Sequence, residues 1–122
     1  MTLQELYGAI DADYTQAMRV LRIDRLLDKH IRKFVANGVI DSLLEAGKTM
    51  EPRQLFEAAH AAKGVCGNLG LVKLADLSST IAEEFRDGNA RTMSDAEVQE
   101  TLSQIDALYT KTKDGIKAYA SA

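Results

Sequence analysis

Apolar positions recur along the chain at intervals of three and four residues, and strict apolar–polar alternation is absent, so the pattern predicts helices and gives strands no support. A short amphipathic segment, Leu3 to Tyr7, is followed by a second after Asp11-Ala12-Asp13, where Asp13 is placed to accept the first free N–H groups of a helix. Asp24 takes the same role for a long helix carrying Leu27, Ile31, Phe34, Ile40 and Leu44, which ends near Gly47. Gly38 either bends that helix or breaks it in two. Beyond Lys48-Thr49-Met50, Thr49 or Glu51 caps the next helix, with Pro52 preset for its first turn. It runs to about Leu69, and Gly70 stops it. Leu74, Leu77, Ile81 and Phe85 mark a further helix, ended at Gly88-Asn89. Ser94-Asp95-Ala96-Glu97 is a capping box for the last one, which carries Val98, Leu102, Ile105, Leu108, Tyr109, Ile116 and Tyr119. Four main helices with short connections predict an all-α protein, an antiparallel up-down four-helix bundle with one or two short extra helices at its N-terminus.

Composition agrees. One proline and no tryptophan in 122 residues suit helices, and the length allows one domain over residues 1–122 with no second core. Fifteen Lys+Arg against 18 Asp+Glu leave a net charge of −3, which argues against a general nucleic-acid binder. No apolar run reaches the roughly 20 residues of a membrane span, and the first residues lack a signal-peptide pattern, so a cytoplasmic location is expected. A single cysteine, Cys66, excludes an internal disulfide and any multi-thiolate metal site. Each apolar stripe can be buried within one bundle, so the expected state is a monomer.

Seven of the eight glycines divide into two groups. Gly8, Gly47, Gly70 and Gly88 fall where a periodic pattern stops, as expected just past a helix end. Gly38, Gly64 and Gly67 fall inside helical patterns, where each costs up to about 1 kcal/mol relative to alanine. At about 100° per residue, Leu55, Ala59, Ala62, Cys66 and Leu69 form one apolar stripe on the helix from Pro52. His60 then lies about 140° from Leu55, Gly64 about 180°, Gly67 about 120°, Arg53 about 160° and Lys63 about 80°. Two glycines on a solvent face are a cost without packing return, and their physical use is to let another surface approach the backbone. Imidazole is largely neutral and nucleophilic at neutral pH. Lys63, one turn on, can offset negative charge on a group reaching the ring. Nucleophile, cation and clearance describe a docking face for phosphoryl transfer. They do not describe hydrolysis, because no acid, base or oxyanion device stands beside them.

The run Ala59-His60-Ala61-Ala62-Lys63-Gly64-Val65-Cys66-Gly67-Asn68-Leu69-Gly70 resembles the signature of histidine-containing phosphotransfer (HPt) domains of two-component phosphorelays. The four-helix layout, the length and the Leu43-Leu44-Glu45-Ala46 segment match as well. Three positions depart from it: the family usually has a larger aliphatic residue at Ala62, and Ala or a small hydroxyl residue at Val65 and Cys66. These lie on or near the core stripe and bear on packing more than on chemistry. The resemblance implies that His60 accepts a phosphoryl group from a receiver-domain aspartyl phosphate and passes it to another receiver. The partners it implies are response-regulator receivers or a hybrid histidine kinase. It also implies that the receiver brings the acidic pocket and Mg²⁺, so that no cofactor belongs to this chain. The expected docking residues are Gly64, Gly67, Arg53 and Phe56, with Phe56 and Leu71 adding apolar contact around the histidine. Ser79, Glu83 or Glu84 is expected to hydrogen-bond the second ring nitrogen.

Other residues read more plainly. His30 sits among Lys29, Arg32 and Lys33 on a cationic face. Glu57 and His60 have the spacing of a di-iron ligand pair, but that site needs a second such pair, and Leu27 stands three before His30. Cys66 reads as a packed core residue. The basic run Arg19, Arg22, Arg25, Lys29, Arg32 and Lys33 and the acidic stretch Glu83, Glu84 and Asp87 read as solvated faces. The chain reads as free-standing rather than as the excised phosphotransfer domain of a kinase. The alternative from another class is a helical-bundle adaptor that binds partners through the same face without being phosphorylated.

Overall fold

The computed structural model describes residues 1–121. Local caps set where the helices begin. Thr2 and Glu5 exchange side-chain and backbone hydrogen bonds, a capping box that opens α1 (Leu3–Ala9). Asp13 accepts from the N–H of Gln16 at 2.9 Å and starts α2 (Tyr14–Leu21). The next start corrects expectation: Ile23, extended and without a side-chain cap, precedes α3 (Asp24–Phe34). Asp24 is instead the first helical residue and accepts from the Tyr14 hydroxyl. The long helix is divided, because Asn37 accepts from the N–H of Val39 and Gly38 adopts φ 78°, so α4 (Val39–Thr49) starts afresh. Glu51, not Thr49, caps α5 (Pro52–Asn68). The helix α6 (Val72–Glu84) ends before Gly88, with Asn89 Nδ2 donating to the Glu83 carbonyl at 2.9 Å. Ser94 and Glu97 form the capping box that opens α7 (Asp95–Ser121).

The architecture follows from these pieces. Among the described residues there are seven helices and no strand. α4 packs on α5, α5 on α6, α6 on α7, and α7 closes back on α4, giving the four-helix bundle. α1 and α2 are the two short N-terminal helices. The 27 residues of α7, about 40 Å of helix, also reach α3 and α1. Phe34 meets Tyr109 edge-on at 5.9 Å, tying the detached α3 to the bundle. Gly8 and Gly47 do not follow helix ends, as the pattern suggested, but lie within α1 and α4. A Cβ at Gly47 would collide with Leu102, so its role is close approach of α4 to α7. No helix is long and apolar enough to cross a membrane among the described residues.

One expectation about the surface fails. Glu84 is buried, only 6% exposed. It accepts from the N–H groups of Thr92 and Met93, the Thr92 hydroxyl and Arg91 Nε, all at 2.8–2.9 Å. A carboxylate is buried only when so paired; here it organises the connection from α6 to α7. The Met93 N–H above all, with Arg91 and Thr92 and against the effect of burial, holds its carboxyl down at about 2, from an ordinary 4.5. The unfolded chain takes up that proton first as pH falls, so Glu84's contribution to stability is whole above about 4.5 and lost between there and about 2. Glu84→Gln will lower stability at pH 7 and flatten the acid dependence in that window. Denaturant melts at pH 7, 4.5 and 2.5 check this, and an unchanged slope would refute it.

Candidate functional site

The site is built on α5, and both of its ends are fastened. At the start, Glu51 accepts from the N–H groups of Arg53 and Gln54 at 3.2 and 2.8 Å, and Pro52 lacks the N–H that would otherwise be orphaned. At the end, Leu71 N–H donates to the Cys66 carbonyl at 2.9 Å and Gly70 N–H to that of Gly67, a Schellman closure with Gly70 at φ 69°. The Tyr7 hydroxyl donates to the Leu69 carbonyl at 2.7 Å, and the Asp13 N–H to that of Gly70 at 2.8 Å. The N-terminal helices therefore clamp the C-terminal end of α5.

Between the ends the helix has two distinct faces. Leu55, Ala59, Ala62 and Cys66 are fully buried, and Leu69 nearly so, which is the stripe read from the periodicity. Burial pushes the Cys66 thiol up to about 12, leaving it a packed apolar residue. On the other face His60, Lys63, Gly64 and Arg53 are exposed, and Gly67 and Phe56 are half-buried. A Cβ at Gly64 or Gly67 would meet no atom within 4 Å. Neither glycine, then, is needed for packing within the chain.

His60 stacks on Phe56, with ring centroids 5.5 Å apart and planes 19° from parallel. Leu71, the second apolar neighbour expected, is buried in the core at the turn into α6, beside Ile10 and Leu108. Arg53 lies two turns before His60, its Nε 3.1 Å from Glu57. Of the three candidates for the second ring nitrogen, Glu84 is committed to residues 91–93. Glu83 is engaged by Arg86, and no hydrogen bond joins it or Ser79 to His60 among the described residues. Arg86 chiefly, and Lys63 more weakly, hold the Glu83 carboxyl below its usual range. Arg86 also lies over the Phe56 ring, its Cζ 5.1 Å from the centroid. No periodicity or spacing links Arg86 to His60; only the packing of α6 on α5 brings it there.

Further along α5 the face opens into a cleft of about 330 Å³ floored by Val65 and Asn68 and walled by Val20, His30, Lys33 and Asn37. Asn68 is eight residues, about 12 Å, beyond His60. At the adjoining α2–α3 corner Val20, Ile23 and Leu26 are 38–47% exposed, and Arg22 holds φ 71°. Of the basic run, Arg32 pairs with Asp28 at 2.9 Å, and the other five are exposed and outside ion pairs among the described residues. No group of three or more His, Cys, Asp or Glu side chains among the described residues is arranged to hold a metal ion.

Chemically, this is an exposed imidazole on a helix face with cations, and among the described residues no carboxylate is hydrogen-bonded to the ring. A family model described as Hpt domain matches residues 3–114. No curated protein and no solved structure matches the chain.

Proposed function

Because the chain belongs to the Hpt domain family, whose members carry phosphoryl groups in phosphorelays, we propose that His60 is its phosphoacceptor, loaded by one receiver domain and unloaded by another. In loading, the lone pair of an imidazole nitrogen forms a P–N bond as the acyl P–O bond of the aspartyl phosphate breaks, and the receiver's carboxylate leaves. Unloading reverses these bonds on a second receiver. The imidazole needs no activation by a base, because an acyl phosphate has a good leaving group. The receiver brings Mg²⁺ in this reading. On this reading the chain works as a carrier, a cytoplasmic monomer, rather than as a turnover enzyme.

The observation that carries the reading is the empty space at Gly64 and Gly67 beside an exposed His60. Glycines at which a side chain would meet nothing inside the chain are explained by a partner whose backbone or loops come close. A partner covering about 800 Å² would extend from His60 across Gly64 to the cleft at Asn68. There Lys33 lines the cleft, and with the other exposed cations of the α2–α3 region, outside ion pairs among the described residues, it suits an acidic surface and speeds encounter in a chain that is otherwise acidic. Incubation with radiolabelled phospho-receiver tests the proposal. Label stable to alkali and labile to acid should appear on His60, then move to a second receiver. Binding without transfer of label would leave the adaptor reading in its place.

A further inference from the structure

Arg86 has no part in the motif, yet the packing brings its guanidinium towards the imidazole by way of Phe56. Its Cζ lies 5.1 Å from the Phe56 centroid, and that ring lies 5.5 Å from the imidazole. Cζ is therefore within about 11 Å of the His60 ring centre. It is held there by Glu83, whose oxygens lie 2.9–3.3 Å from Nε and Nη2. The pair is half-exposed, with side chains 41% and 50% accessible. Such pairs contribute little net free energy and exchange readily. Glu83 also faces Lys63 closely enough for that cation to lower its carboxyl. Glu83 thus pairs with Arg86 and feels the charge of Lys63 while the histidine is bare.

We propose that Arg86 is a phosphoryl-binding residue kept in reserve by Glu83. On this reading, which rests on His60 being the phosphoacceptor, a phosphoryl group on the ring presents two negative charges and outcompetes a single carboxylate for the guanidinium. Arg86 leaves Glu83, uses the planar fork of its donors on the phosphoryl oxygens, and keeps the aromatic face of Phe56 as its platform. The consequence is a longer-lived phosphohistidine. Loss of the group to water breaks the N–P bond, forms a P–O bond to the water oxygen, and returns the bonding pair to the imidazole, with inorganic phosphate released. That transition state is loose. The phosphoryl oxygens carry less charge in it than in phosphohistidine, so a cation resting on them stabilises the carrier state more than its decay. Glu83 acts in the opposite sense, competing for Arg86 and repelling the phosphoryl group.

Full-length protein is loaded with phosphoramidate, whose P–N bond breaks with release of ammonia as the bond to His60 forms. First-order loss of the phosphate is then followed by ³¹P NMR at neutral pH. Arg86→Ala should shorten the lifetime about fivefold, Arg86→Lys should restore part of it, and Glu83→Gln should lengthen it. Arg86→Ala and Glu83→Gln break the same ion pair, so a structural role would move both lifetimes the same way. Opposite movement, with unchanged thermal melts, supports the proposal. Equal lifetimes in wild type and Arg86→Ala, or shortening in both variants, would overturn it and leave the carrier role intact. Failure of wild-type His60 to take up phosphate from either phosphoramidate or phospho-receiver would overturn both.

Discussion

Replacing His60 by glutamine will reduce phosphoryl acceptance from a phosphorylated receiver to background while leaving the fold unchanged. Glutamine keeps a polar side chain of similar reach but has no nitrogen lone pair able to form a P–N bond, so the loss is of chemistry. The structural cost is small because His60 is exposed and stacks on half-buried Phe56. Loss of an exposed stacking partner is worth about 1 kcal/mol or less. His30→Gln serves as the comparison for the acceptor alone: that histidine lies on α3 and lines the docking cleft, so its loss can slow encounter but should still leave label on His60. Transfer of label to each variant, together with a thermal melt, decides the matter. Label on the His60→Gln protein, or its loss in His30→Gln alone, would show that the acceptor has been misassigned.

The second large effect separates stability from rate at one position. Nothing lies within 4 Å of where a Cβ at Gly64 would stand. Gly64→Ala should therefore gain up to about 1 kcal/mol from better helix propensity, and Gly64→Gln should gain most of the same. Transfer should respond in the other direction. A side chain one turn from His60 holds the partner off the backbone, and a displacement of about 1 Å can cost on the order of a hundredfold in rate. We expect a modest slowing for alanine and a slowing near a hundredfold for glutamine, in proteins more stable than the wild type. Rapid transfer in Gly64→Gln would mean that no partner docks over this helix face. The comparison is clean because folding and docking pull the two readouts apart.

Much of this was legible locally. The caps at Asp13 and Ser94 and the stop at Gly70 rest on hydrogen bonds within three to five residues, and the residues that make them announce themselves, while Glu51 was one of two candidates for its cap. The face of α5 that carries His60 was legible for the same reason. A helix turns by a constant angle, so burial of Leu55, Ala59, Ala62 and Cys66 fixes where His60 and Gly64 must point. Misreadings arose where one residue type serves two purposes. Glycine marks a helix end or a close approach, and Gly47 proved to be the second because Leu102 of α7 stands against it. Asp24 could begin a helix as its cap or its first residue, and the Tyr14 hydroxyl claimed it as the latter. Carboxylates in a row look solvated, yet Glu84 turned inward because the connection after α6 supplies four donors to it.

The sequence by itself therefore determined the helices, the buried stripe of each, and the chemistry displayed on α5, since all three follow from periodicity and contacts a few residues apart. Tertiary structure alone decided what surrounds that chemistry. Antiparallel packing of α6 on α5 brings Glu83 and Arg86 to His60 across more than twenty residues of chain, and folding of α2 and α3 over the far end of α5 makes the cleft beside Asn68. Such neighbours depend on how whole helices cross and which side chains interlock between them, and neither quantity is written in the spacing of residues along one helix.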